Sequence, residues 1–154
     1  MDRFDHAILA ELEQDSRQSF GAVAEKVGLS KTPCWNRVQS LEQQGIITGY
    51  PAAIDPYALG LKLSAFVQVS VDFAQHPAFE AAIIDHPAVL NCYTTAGDGD
   101  YLLHIVTSDV EALDGLLRGN LSRLPGVQRF ITTICMKTIK RGAPLTVAAR
   151  FGEL

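Results

Sequence analysis

The sequence predicts an α+β chain of two unlike halves: three short helices, then a four-stranded antiparallel sheet with two helices on one face. Three patterns carry that prediction. Apolar residues recur at helical spacing through the first 45 residues. From Leu61 to Val71 every odd position is apolar, while the even ones are Lys62, Ser64, Phe66, Gln68 and Ser70. Beyond that strand the signals run helix, strand, strand, helix, strand, which completes a βαββαβ order.

The first helix starts at Asp2, whose side chain can cap it, with Asp5 three residues on as the acidic partner of a capping box. Phe4, Ile8, Leu9 and Leu12 mark its inner face. Ser19 can cap a second helix, in which Val23, Ala24 and Val27 form the buried stripe. Gly28 suits a left-handed helix terminus, and Leu29 can fold back over it. Ser30 opens a third helix with Cys34, Val38 and Leu41 on one face, tolerating Pro33 in its first turn. Two helices about a Gly-containing turn match the helix-turn-helix pattern, whose second helix enters the DNA major groove. A plain helical hairpin is the other reading of these residues alone. Ile46, Ile47 and Tyr50 read as a short strand leaving the head, which makes the head winged-helix-like.

Residues 51–60, PAAIDPYALG, hold two prolines and a glycine and read as a flexible linker. The strand from Leu61 to Val71 follows, with one face buried. Pro77 to His86 is predicted helical, with Phe79, Ile83 and Ile84 inward. Val89–Thr95 and Tyr101–Val106 are strands joined across GDGD as a hairpin. Ser108 with Glu111 reads as a capping box opening a helix with Val110, Leu113, Leu117, Leu121 and Leu124 on one stripe. Pro125-Gly126 ends it, and Val127–Ile139 is the final strand. The tail RGAPLTVAARFGEL carries only a weak strand signal at Leu145–Val147. The boundaries expected are thus a helix-turn-helix domain at 1–50, a linker at 51–60, a ferredoxin-like domain at 61–140 and a tail at 141–154. Helices cover one sheet face only, and Phe66 lies on the other. The same face of a second copy is the simplest cover, so a sheet-to-sheet homodimer is expected.

Composition narrows the function. Of 154 residues, 47% are hydrophobic, enough for a folded core. No apolar run is long enough to span a bilayer, and MDRFDHAIL carries acids where a signal peptide carries bases; a soluble, cytoplasmic protein without membrane contact is expected. Three dispersed cysteines without a CxxC pair read as reduced thiols, and the four histidines have no ligand spacing, so neither a metal site nor another cofactor is expected. Net charge is −4. Residues 1–50 hold five bases and seven acids, so one head would grip phosphate weakly and useful affinity would need two or more copies on one DNA.

On the third helix the inward set leaves Lys31, Thr32, Asn36, Arg37 and Ser40 on the outer side. Arg37 could donate to guanine or to phosphate, and Asn36 could pair with an adenine edge. Ser30, Lys31 and Thr32 lie where the helix dipole favours a phosphate. Trp35 is expected beside the first helix. A solvated helix face is the alternative for each polar residue. Gly97, Asp98, Gly99, Asp100 and Tyr101 form the second constellation. It is either an ordinary hairpin loop with exposed acids, or a site where glycines free backbone groups and a carboxylate attracts an ammonium. Tyr93 and Thr95, entering the loop, and Thr132 on the last strand are candidate neighbours. Asp98 and Asp100 could pair as acid and base in an enzyme, but no nucleophile or phosphate loop accompanies them, so no catalytic residue is expected.

A trihelical head, a Pro-containing linker and a βαββαβ tail together resemble the Lrp/AsnC family of bacterial transcription regulators. VGLSKTPCWNRVQSLEQQGIITGY, AGDGDYLL and LPGV carry the resemblance, in order, and it covers nearly the whole chain. It implies a regulator binding double-stranded DNA and responding to a small amino acid, built of dimers that often close into octamers. It further implies that the 97–101 loop lies between dimers and helps bind the effector. A sensor that acts through protein partners and has lost DNA binding is the alternative.

Overall fold

Helix ends in the head are closed by the residues that the sequence nominated. In the computed structural model, which describes residues 1–151, α1 spans Arg3–Gln14. Asp2 accepts from the backbone N–H groups of Phe4 and Asp5 at 2.8 and 3.1 Å, and Asp5 accepts in return from the Asp2 N–H at 2.9 Å. Helix α2 spans Phe20–Val27 behind Ser19, whose hydroxyl accepts from the Ala22 N–H at 3.2 Å. Gly28 ends α2 at φ 74°, and the Leu29 N–H reaches back to the Ala24 carbonyl at 2.8 Å. That pairing satisfies a carbonyl the helix would otherwise orphan.

Helix α3 spans Lys31–Gln43 and begins at Ser30, whose side chain makes no capping bond. Ile8, Val23, Ala24, Cys34, Val38 and Leu41 meet in the head's core, each at most 2% exposed. Burial raises the pKa of the Cys34 thiol, which stays a small apolar filler.

Two readings of the head's flanks are corrected. Ile46–Tyr50 is not a strand, because the N–H groups of Ile46 and Ile47 both donate to the Leu41 carbonyl, at 2.9 and 3.2 Å, and close α3 instead. The tail is not a strand at 145–147 either: Leu145–Phe151 is a helix. Its first turn is capped from α1, where the Glu13 carboxylate accepts from the N–H groups of Leu145 and Thr146 at 2.7 and 2.9 Å. The tail therefore folds with the head. One compact unit is Met1–Ala53 together with the chain from Ile139 on, and the other is Ile54–Thr138.

In the second unit a 3₁₀ turn, Pro56–Leu59, capped by Asp55, occupies much of the expected linker. Strand β1 runs Leu63–Val71, α4 His76–Ile84, β2 Val89–Thr94, β3 Tyr101–Thr107, α5 Val110–Gly119 and β4 Val127–Ile134. The sheet order is β2-β3-β1-β4, antiparallel throughout. This is the βαββαβ arrangement read from the sequence.

Alternate β1 residues Ala65, Val67, Val69 and Val71 face Phe79, Ile83, Leu113 and Leu121 in one core with Tyr101, Leu103 and Ile105. Each large apolar side chain buried there contributes about 1.5–3 kcal/mol. Ile84 is not inward but 81% exposed, since it stands five residues past Phe79 and thus on another face of α4. The cap of α5 is Asp109, not Ser108: its carboxylate accepts from the Ala112 N–H at 2.8 Å while the Ser108 hydroxyl supports it at 3.0 Å. Helix α5 stops at Gly119, leaving Leu121 in a 3₁₀ turn and Val110 exposed. Strand β4 ends at Ile134, opposite Ala65, rather than at Ile139; one last backbone bond, from the Cys135 N–H to the Ser64 carbonyl at 2.9 Å, follows it.

The second sheet face carries Ser64, Phe66, Gln68, Leu102, His104, Val106, Ile131 and Thr133, set across from one another by register. Phe66 stacks on His104 with ring centroids 4.8 Å apart, and Ser64 and Asn91 hydrogen-bond the two nitrogens of that imidazole. Phe66 and Ile131 remain 38% and 43% exposed.

Candidate nucleic-acid interface and ligand loop

Helix α3 turns its apolar row inward because Cys34, Val38 and Leu41 are fully desolvated, and this fixes where the rest must point. Ser30, Lys31, Thr32, Asn36 and Ser40 are all exposed. Lys31 makes no ion pair among the described residues. Ser40 accepts from the Gln44 amide at 2.8 Å.

Arg37 departs from this group. Its guanidinium lies 2.7 Å from Asp5 and 2.8 Å from Asp2 and sits 5.5 Å from the Phe4 ring. Asp5 and then Asp2 raise the Arg37 pKa, while the Asp5 N–H and behind it Arg37 hold the Asp2 carboxyl below its ordinary range. Arg37 therefore ties α3 to the start of α1. Trp35 is 46% exposed, so its ring is only partly covered by the head.

Two other carboxylates of the head, Glu11 and Glu42, are also engaged. Lys26 meets Glu11 at 2.7 Å. Glu42 accepts from the Tyr50 hydroxyl at 2.7 Å and from Gln39 at 2.8 Å. Burial and then Glu42 push the Tyr50 phenol up to about 12. Sequence reading missed Asp2 and Asp5 as partners of Arg37. Their capping pattern was visible, but a contact 32 residues away leaves no local signal.

The 97–101 loop is built from inside. Gly97 has φ 154°, a region that side chains disfavour. Gly99 is buried, and a Cβ there would collide with the Gln68 side chain. The Asp100 N–H donates to the Val69 carbonyl at 2.9 Å, and its carboxylate accepts from the Val71 N–H at 2.8 Å. Thr95 closes the hairpin, its N–H to the Asp100 carbonyl at 2.8 Å and its hydroxyl to the Gly99 carbonyl at 2.7 Å. Only the Asp98 carboxylate projects from the loop without a protein partner among the described residues.

Tyr101 belongs to the core: it is 1% exposed, and its hydroxyl donates to Glu80 at 2.8 Å. Burial first, and Glu80 second, push it up to about 12. Tyr93 stands half-exposed on the open sheet face opposite Leu102. Thr132 lies on β4, the far edge strand, opposite Val67, with its hydroxyl buried and unpartnered among the described residues. Within one chain, then, Thr95 and Gly97–Asp100 come together, while Thr132 is held on the opposite edge of the sheet from Tyr93. Gln68 and Glu80 were missed by sequence reading, the first because a polar residue on an alternating strand reads as solvent-facing.

Among the described residues no group of three or more His, Cys, Asp or Glu side chains is placed to hold a metal ion, and no helix is long and apolar enough to cross a membrane.

Comparison with known proteins gives this geometry its context. Residues 1–48 match a winged helix-turn-helix DNA-binding model and residues 64–145 match the Lrp/AsnC ligand binding domain. The leucine-responsive regulatory protein of Salmonella typhimurium is 38% identical, and that of Escherichia coli K12 37% identical. Each alignment covers 97% of this chain and 93% of the relative. Among solved structures, a transcriptional regulator of Neisseria meningitidis in complex with L-Met superposes with a TM-score of 0.90 at 32% identity, over 94% of this chain and 95% of that one. An AsnC family transcriptional regulator from Agrobacterium tumefaciens gives 0.87 at 32% identity, over 96% and 99%. With a helix-turn-helix head at residues 1–48, an Lrp/AsnC ligand binding domain at residues 64–145 and relatives 38% identical over nearly the whole chain, this chain belongs to the Lrp/AsnC family of DNA-binding transcription regulators.

Proposed function

We propose that the protein reads specific operator sequences through α3 and changes its DNA binding when a free amino acid occupies a site at the Gly97–Asp100 loop. The observation that carries this reading is the exposed row of α3: five candidate contacts, Ser30, Lys31, Thr32, Asn36 and Ser40, stand outward over a closed core. Asn36 is suited to an adenine edge, and Ser30, Lys31 and Thr32 to phosphate. Arg37 joins them only by exchanging its carboxylates for a phosphate or guanine.

At the loop, the Asp98 carboxylate suits an ammonium group and the backbone of Gly97 and Gly99 offers close approach. Tyr93, Thr95, Asp100, Tyr101 and Thr132 complete the proposed site, with Asp100 and Tyr101 acting through the loop's shape. Because Tyr93 and Thr132 lie apart in one chain, a site using both needs a second copy. We take the open sheet face as the homodimer contact, with Phe66, Leu102, Val106 and Ile131 covered by the same residues of the twin. Effector binding between dimers, in an assembly up to the octamer, then biases the placement of the heads. The protein works in the cytoplasm and catalyses no reaction.

The test is selection of bound genomic fragments with and without a panel of amino acids. Enriched fragments whose recovery changes with one amino acid support the proposal; no enrichment at low salt sinks it. A second reading, a sensor acting through protein partners, draws support from the pairing of Arg37 with Asp2 and Asp5 and from the seven acids of residues 1–50. That reading predicts an amino-acid response without any enriched duplex.

A further inference from the structure

Trp35 is the single tryptophan of the chain, and it stands 46% exposed on α3 with no hydrogen bond to its indole N–H among the described residues. The covered part of the ring packs on the head, while the exposed part and the indole N–H are open to a partner.

Its position on the helix is informative. At about 100° per residue, Lys31, Trp35 and Glu42 share one flank of α3. That flank lies between the buried row of Cys34, Val38 and Leu41 and an outermost row of Thr32, Asn36 and Gln43. Arg37 takes the other flank, where Asp2 and Asp5 hold it. A helix seated in a major groove about 12 Å wide turns its outer row to the base edges and its flanks to the sugar–phosphate walls. The wall facing Trp35 therefore meets an ammonium and an indole one helical turn apart.

We propose that Trp35 contacts the DNA backbone: its indole N–H donates to a phosphate and its ring packs on the adjoining deoxyribose, beside the Lys31 ammonium. This rests on the reading of α3 as the duplex-facing helix. Glu42 limits the surface at its far end. Its carboxylate repels phosphate but is already occupied by Tyr50 and Gln39, so the contact belongs to the first half of the flank. Such a contact positions α3 without reading sequence.

The test uses the full chain and a duplex recovered by the fragment selection. Because Trp35 is the only tryptophan, its emission reports on this site alone. Saturating duplex should cut acrylamide quenching of that emission by about half as the exposed ring is covered. Trp35→Phe, which keeps a ring and removes the donor, should weaken binding about tenfold. The loss should be the same for matched and mismatched duplexes. Circular dichroism of Trp35→Phe and Trp35→Leu should match the parent at the temperature of the binding assay. Unchanged quenching, or full affinity in both variants while the parent binds, overturns the contact and leaves the DNA reading of α3 standing. A parent chain that binds no duplex removes both.

Discussion

The two candidate sites of this chain present opposite surfaces. On α3 the polar side chains point away from the protein, and the core beneath them is closed by Cys34, Val38 and Leu41. In the hairpin loop most polar groups point back into it: Asp100 serves the Val71 N–H, Thr95 serves Gly99, and Tyr101 serves Glu80. The contrast teaches where each site is vulnerable. A helix face can lose a side chain and keep its fold, whereas the loop's shape and its chemistry are the same hydrogen bonds. Substitutions on α3 should therefore alter recognition at little cost in stability, and substitutions of the packed loop residues should cost stability and effector response together.

The sharpest attempt to break that contrast is Gly99→Val. Its Cβ would collide with Gln68, so urea unfolding should show a loss of about 1–3 kcal/mol, with effector response weakened in the same protein. A neutral result would mean the loop yields as freely as a helix surface.

Tyr101→Phe comes next. It removes the hydrogen bond to Glu80, whose carboxylate water can still reach, and should cost about 1 kcal/mol. It also carries a pH signature. Tyr101 holds its proton in the folded state up to about 12, against an ordinary value of 10.0. Its stabilising effect is therefore complete below pH about 10 and is lost as the unfolded chain ionises first, between about 10 and 12. Tyr50, also raised to about 12, acts in the same window. Stability should fall over that range in the parent and fall less in Tyr101→Phe.

Glu13→Ala removes the cap of the helix at Leu145–Phe151 and should lower helicity and head stability by about 1 kcal/mol, with DNA affinity little changed. Burial opposes charge on Glu13, but hydrogen bonds from Thr146 and Leu145 hold its pKa below the ordinary value. Stability drawn from this cap should thus be present above the unfolded carboxyl pKa and be lost as the pH falls through the depressed one.

The smallest effect is expected of Arg37→Gln. Its ion pairs are partly exposed, so the melting temperature should drop slightly, and less at high salt. A loss of operator affinity larger than that of Asn36→Ala would move Arg37 from the scaffold to the interface.

What the sequence determined by itself is the order of elements and the inward face of most of them, because caps, glycine termini and apolar periods act within a few residues. Asp2, Ser19, Gly28 and the alternation through Leu61–Val71 are of this kind, and the exposed row of α3 follows from its buried one. Only the tertiary structure decided that Leu145–Phe151 is a helix, that Ile46–Tyr50 is not a strand, that Arg37 is engaged, and that Gly99 is packed beneath Gln68. Each of those depends on a specific contact: Glu13 with Thr146, Arg37 with Asp5, Gln68 over Gly99, and the Leu41 carbonyl taking the N–H groups of Ile46 and Ile47. Such pairings are settled by packing and hydrogen-bond satisfaction in three dimensions, and no local pattern encodes them.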